Sequence, residues 1–177
     1  MPYPTFIAGE QLTATDVNII ASAYVQVGET ILLANASSLS VSSIPTRKDL
    51  LVIVDIVGHD IAGTPRLRFN GDVGANYDYR WSANVGAYNN GTGVTFIELG
   101  QSQLNPQAFW IRIMNRLATN KRIEWTGSGA GPASFYDHYH GSARWSNVIT
   151  QITSIALSSS VNNFLAGTRL TVFAPSN

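Results

Sequence analysis

The chain predicts an all-β protein: an antiparallel β-sandwich, jelly-roll-like, preceded by an N-terminal arm that carries a short helix. Three observations predict it. Short runs of alternating apolar and polar residues recur at intervals of about 8–15 residues from Glu29 onward. Gly, Asn, Ser and Pro fill the breaks between them. Beyond residue 28 no stretch carries a helical period, so no crossover helices join the strands, and an antiparallel architecture follows.

The start of the chain reads differently. Pro2 and Pro4 hold the backbone extended. In FIAGEQLTATDVNIIASAY, Gly9 marks a turn and Thr13 or Thr15 can cap a helix. Val17, Ile20, Ala21 and Tyr24 then recur at helical spacing, which predicts a short helix near residues 14–22. Residues 1–28 hold too few apolar side chains for a core of their own. They are read as an arm that docks on its own domain, a sister subunit or a larger assembly, with residues 29–177 forming the sandwich.

The first strands are expected in ETILL (29–33) and SSLSVSSI (37–44). DLLVIVDIVG is apolar on both faces, with Leu50, Val52, Val54 and Ile56 set against Leu51, Ile53 and Val57. That pattern predicts a strand covered by protein on both sides. Asp55 within it needs a partner if it is buried. LRFNGDVGANYDYRW (67–81) alternates, breaks at N-G-D-V-G-A-N and alternates again, which reads as a hairpin-like pair of strands laid side by side. VGAYNNGTGVT reads as a loop. TFIELG (95–100), FWIRIMN (109–115) and KRIEW (121–125) are strands, and TGSGAGPAS is the most flexible loop by composition. FYDHYHGSARW (135–145), VITQITSIALS (148–158) and TRLTVFA (168–174) complete the set. No repeat of fixed length points to a propeller or solenoid.

Composition narrows the function classes. Charged residues are 12% of the chain, about half the usual share of about 25%. Eleven basic residues balance eleven acidic ones. A surface this poor in charge resists self-association weakly, which suits a member of an assembly. The balance argues against a nucleic-acid partner, which needs a clustered basic footprint. Without cysteine, neither disulfides nor thiolate chemistry enter. No apolar run approaches the roughly 18 residues of a membrane span, and MPYPTFIAGEQ lacks the layout of a signal peptide.

Catalytic patterns are weak, and the chain reads as a non-enzyme without a cofactor. No G-x-S-x-G nucleophile elbow occurs. GSGAG (127–131) has no lysine or helix to make a phosphate loop. Asp78, Glu98, Glu124 and Asp137 are not marked as a pair for sugar cleavage. Asp137, His138 and His140 form the best metal candidate, because alternate strand residues share a face, yet the sequence identifies no further ligand. Asn70, Asp72 and Asn76 could offer oxygens to calcium, but their spacing is not that of an EF-hand. The plainer reading is a structural turn at Asn70, Gly71, Asp72 and Gly74, held by side chains bonding their own backbone.

Tyr77, Tyr79, Trp81, Tyr88, Tyr136, Tyr139 and Trp145 exceed what one core face needs. They fit either ordinary packing or an interface, where aromatic and arginine side chains are enriched. The segments 83–94 and 126–141 are rich in Gly, Asn and Tyr, so Tyr88, Tyr136, His138 and Tyr139 stand as a candidate recognition surface.

Three stretches resemble the structural proteins of tailed-bacteriophage virions. FIAGEQLTATDVN (6–18) is similar to the F-x-x-G-x-x-L-T-A-x-x-x-N segment near the start of many minor tail and fibre proteins. LRFNGDVGANYDYR (67–80) resembles the R-F-N-G-D-x-G-x-N-Y motif of small phage structural proteins. ITSIALSSSVNNFLAGTRLTVFA (152–174) resembles their closing hairpin. Such chains often end in L-Y-G, whereas Val172-Phe173-Ala174 stands here. The resemblance implies a β-sandwich, commonly trimeric, on the tail or capsid exterior. It implies that Phe6, Gly9, Leu12, Val17 and Asn18 belong to an attachment arm, and it transfers no catalytic residue. The functional expectation is therefore a tail-associated virion protein partnered by other virion proteins. The alternatives are a capsid decoration or cement protein and, from another class, a lectin domain binding a host-surface glycan.

Overall fold

The computed structural model describes residues 24–84, 86, 88–130 and 136–176. Among these residues every regular element is a strand, and two antiparallel sheets pack face to face. The strands are β1 (Tyr24–Ile31), β2 (Ser38–Val41), β3 (Asp49–Ile56), β4 (Pro65–Phe69), β5 (Tyr77–Ala83) and β6 (Tyr88–Val94). There follow β7 (Ile97–Glu98), β8 (Gln107–Met114), β9 (Lys121–Ala130), β10 (Tyr136–Trp145), β11 (Ile155–Ser159) and β12 (Arg169–Pro175). The larger sheet runs β1-β12-β3-β8-β9-β10-β5-β6 and the smaller β2-β11-β4-β7. The predicted helix near 14–22, and Phe6, Gly9, Leu12, Val17 and Asn18, lie outside the described residues.

Alternation builds the core. Leu50, Val52, Val54 and Ile56 of β3 and Phe109, Ile111 and Ile113 of β8 point inward and are fully buried. Leu67 and Phe69 of β4 and Ile155 and Leu157 of β11 meet them from the smaller sheet. The outward residues of β3, Leu51 and Ile53, are half-buried, and Asp55 and Val57 are exposed. This corrects the expectation that β3 is covered on both sides, and Asp55 needs no partner because water reaches it.

Three other expectations change. The sheet begins at Tyr24, which pairs with Pro175. Tyr24–Gly28 therefore belong to the sandwich rather than to the arm. β4 and β5 are not hairpin partners either: β4 lies between β11 and β7, and β5 between β10 and β6. The seven-residue connection 70–76 carries the chain from one sheet to the other, so the two alternating runs face each other across the core. The Phe69 amide donates to the Tyr77 hydroxyl oxygen at 3.0 Å across this corner.

Finally, residues 88–94 and 127–130 are strand, not loop. Glycine hid them from a reading based on β propensity. Gly127 lies against the Phe109 ring, and a Cβ on Gly141 would overlap the Trp125 indole. These glycines make room for aromatic side chains on neighbouring strands, the usual meaning of glycine inside a sheet.

Candidate functional site

Two places gather polar side chains: the corner between the sheets and the outer face of the larger sheet. At the corner, Asn70 (φ 52°) and Gly71 (φ 66°) adopt left-handed backbone. The Asp72 carboxylate accepts from the Gly74 amide at 2.8 Å, from Asn76 Nδ2 at 2.9 Å and from the Trp145 indole Nε1 at 2.7 Å. Burial opposes the charge on Asp72. The Trp145, Asn76 and Gly74 donors outweigh it and hold the carboxyl below its ordinary range. Asn70 Oδ1 accepts from the Thr153 and Ser154 amides, while its Nδ2 donates to the Gln151 carbonyl. The oxygens that calcium would need are thus aimed at protein donors, and the arrangement tethers β4, β5, β10 and the start of β11.

The outer face is set by register. In one row across the ladders, Asn90, Arg80, Ser142, Glu124 and Arg112 stand on successive strands from β6 to β8. In the next row stand Tyr88, Ser82, His140, Thr126 and Trp110. A third row places Asp78, Arg144 and Arg122 side by side. Among these, Tyr88 is 61% and Trp110 50% exposed, large values for rings that a core would have absorbed.

The surface between them is a trough of three joined depressions. One of about 640 Å³ lies over Asp78, Arg122 and Arg144. A second of about 860 Å³ lies over Arg80, Tyr88 and His140. A third of about 250 Å³ lies over Leu51, Trp110 and Arg112. Glu124 lines all three. The Arg80 guanidinium sits 3.7 Å from the Tyr88 ring centroid, a cation–π contact. Asp78 pairs with Arg144 and accepts the Gly93 amide; the Gly93 bond, then the Arg144 bond, hold its carboxyl below the ordinary range.

Of the residues singled out for recognition, Tyr88 and His138 are exposed on this side of the sheet. Tyr139 is fully buried against Phe109 and Trp81, because odd-numbered residues of β10 face the core. It cannot contact a partner. The side chain of Tyr136 lies outside the described residues. His138 and His140 do share a face, but Asp137 points the other way, toward Asn84 and Gln103. Among the described residues no group of three or more metal-binding side chains forms. Arg112, Arg122 and Trp110 escaped the sequence reading, and Arg80 and Glu124 were not linked to them, because the five come from three strands, β5, β8 and β9. Their sequence signal is the alternation in YDYRW, FWIRIMN and KRIEW.

The fold and trough define an antiparallel β-sandwich with a polar outer face on its larger sheet. No protein-family model and no curated protein matches the chain. Among solved structures it is similar to the marine PL-14 alginate lyase from Aplysia kurodai, with 9% identity and a TM-score of 0.30. That match covers 73% of this chain and 71% of the lyase. It is also similar to the Clostridium perfringens CspB protease, with 12% identity and a TM-score of 0.22. Here 89% of this chain spans 26% of the protease. Likenesses this distant transfer no activity.

Proposed function

We propose that this chain is a structural component of a tailed-bacteriophage virion, exterior and tail-associated, assembling as a homotrimer with other virion proteins rather than acting as an enzyme. The observation that carries the reading is the R-F-N-G-D-x-G-x-N-Y stretch, whose Asn70, Asp72, Asn76 and Tyr77 side chains hold the corner between the sheets. Asp72 and Asn70 spend their hydrogen bonds on the fold, which suits a stretch that sets shape rather than one that binds a ligand. The low charge supports an assembled state. So does a cluster of exposed apolar side chains at one end, Leu117 (60%), Val148 (40%) and Ile149 (80%), joined by the Ala118 amide to the Val148 carbonyl. Apolar side chains gathered in this way mark contact surfaces. Residues 1–23 serve as the attachment arm in this reading.

Gold-labelled antibody against the folded domain, applied to purified phage particles, tests the position. Label along the tail is the expected result. Label over the shell would make the chain a decoration or cement protein, and particles free of label would remove the virion reading.

A further inference from the structure

We propose that the trough from Tyr88 to Trp110 is a binding site for an anionic oligosaccharide, a chain of sugar rings bearing carboxylates. This goes beyond the structural role and stands or falls independently of it.

The first argument is unneutralised charge. Four guanidiniums, Arg80, Arg112, Arg122 and Arg144, face two carboxylates, Asp78 and Glu124. Among the described residues Arg144 pairs with Asp78, while Arg80, Arg112 and Arg122 join no ion pair. Arg122 stands directly across the ladder from Arg144. Like charges in that position destabilise a sheet. Arg112 stands directly across from Glu124, yet the two do not close an ion pair. A bound carboxylate would relieve the first pair and could reach the free fork of the second, in the bidentate geometry that guanidinium favours.

The second argument is the mixture. A nucleic acid, with a phosphate on every nucleotide, would meet Glu124 and Asp78 in the middle of the site. A sugar uses both signs: its hydroxyls donate to Glu124 and exchange hydrogen bonds with Ser142, Asn90 and Thr126, while its carboxylates go to the arginines. Trp110 offers a half-exposed indole on which the apolar face of a ring can lie. Shape agrees. Tyr88 and Trp110 are separated by four strand steps, or about 19 Å at the usual strand spacing. That is the span of a short oligosaccharide rather than a monosaccharide.

The test uses the full chain and a set of hexasaccharides, uronate and sialate types, each paired with its neutral methyl ester. Single-stranded oligothymidylate serves as the polyanion control. Binding is read by calorimetry at low and physiological salt, and Trp110→Ala, Arg122→Gln and Arg112→Gln are compared after thermal melts establish that each folds. The expected result is preference for at least one acid form over its ester, a loss of tenfold or more in Trp110→Ala, and a collapse of the acid preference in Arg122→Gln. Because Arg122→Gln also removes a like-charge contact, it is expected to melt no lower than the parent. Absence of binding across the whole set overturns the proposal. So does binding indifferent to all three substitutions, or tighter binding of oligothymidylate than of any sugar.

Discussion

The indole Nε1 of Trp145 donates a 2.7 Å hydrogen bond to the carboxylate of Asp72, 73 positions earlier in the chain. Trp145 is fully buried and Asp72 half-buried, so the bond joins the end of β10 to the corner where the chain leaves one sheet for the other. Asp72→Ala would strand the buried indole N–H and release Asn76 and Gly74. The expected cost is about 1–3 kcal/mol, read by denaturant melts. Because the folded carboxyl sits below its ordinary pKa, this stabilisation is complete above about pH 4 and is lost as pH falls through the folded value. Calcium and chelator should leave the melt unchanged. A calcium-dependent rise that Asp72→Ala abolishes would restore the metal reading.

Two glycines should fail for different reasons. At Gly71 the backbone is left-handed and nothing lies within 4 Å of a new Cβ, so Gly71→Ala meets conformational strain alone, about 1–2 kcal/mol. At Gly141 the backbone is ordinary, but the Cβ would overlap the Trp125 ring. The Trp125 indole is held by its hydrogen bond to the Leu99 carbonyl and has little room to move. Gly141→Ala is therefore expected to cost more than Gly71→Ala, toward or beyond the upper end of the roughly 1–3 kcal/mol of overpacking. Equal melts for the two variants would contradict this packing account.

His59 is expected to make stability depend on pH below about 6.5. It is 3% exposed, lies 4.8 Å from the Phe164 ring centroid, and its ring nitrogens close no hydrogen bond of good geometry, although the Gln103 main chain lies near enough to favour the proton. Burial pushes its pKa below the ordinary value, against a smaller opposing pull from the Gln103 main chain and Asp60. The unfolded chain then binds a proton that the folded one refuses. Stability should fall as pH drops from about 6.5 toward the folded pKa, and level off below it. His59→Phe should flatten that slope. A slope that persists in the variant assigns the effect to another group.

These variants also mark what was legible in the sequence. A run apolar on both faces revealed β3 and period-two alternation revealed β8 and β12, whose inward faces are Leu, Ile, Val and Phe with Gln107 and Ala174 at the ends. It could not say which strands pair, and so LRFNGDVGANYDYRW passed for a hairpin when it is a corner: alternation gives a strand's two faces but not its neighbours. β6 and the end of β9 were lost because glycine there serves aromatic neighbours that are distant in sequence. The trough was invisible for the same reason. Arg80, Glu124, Ser142 and Arg112 become a row only after four strands are in register.

The attachment arm can be tested at a corrected boundary. Deleting residues 1–26 would cut into β1, whereas deleting 1–22 leaves Tyr24–Ile31 intact. The shorter deletion should yield a folded domain that no longer joins particles. Normal incorporation of the truncated chain would take that role away from the arm. Light scattering of the full chain at micromolar concentration should give about three times the 19.1 kDa chain mass, and a single chain mass at all dilutions would contradict the trimer.

The virion role rests most directly on the abundance of the chain in the particle. Quantitative mass spectrometry of density-purified phage, calibrated with isotope-labelled peptides, would measure its copies against the major capsid protein. The account predicts a value in the range of a few to tens per particle and divisible by three. Hundreds of copies would move it to the capsid surface, and its absence from infectious particles would contradict the account at its centre.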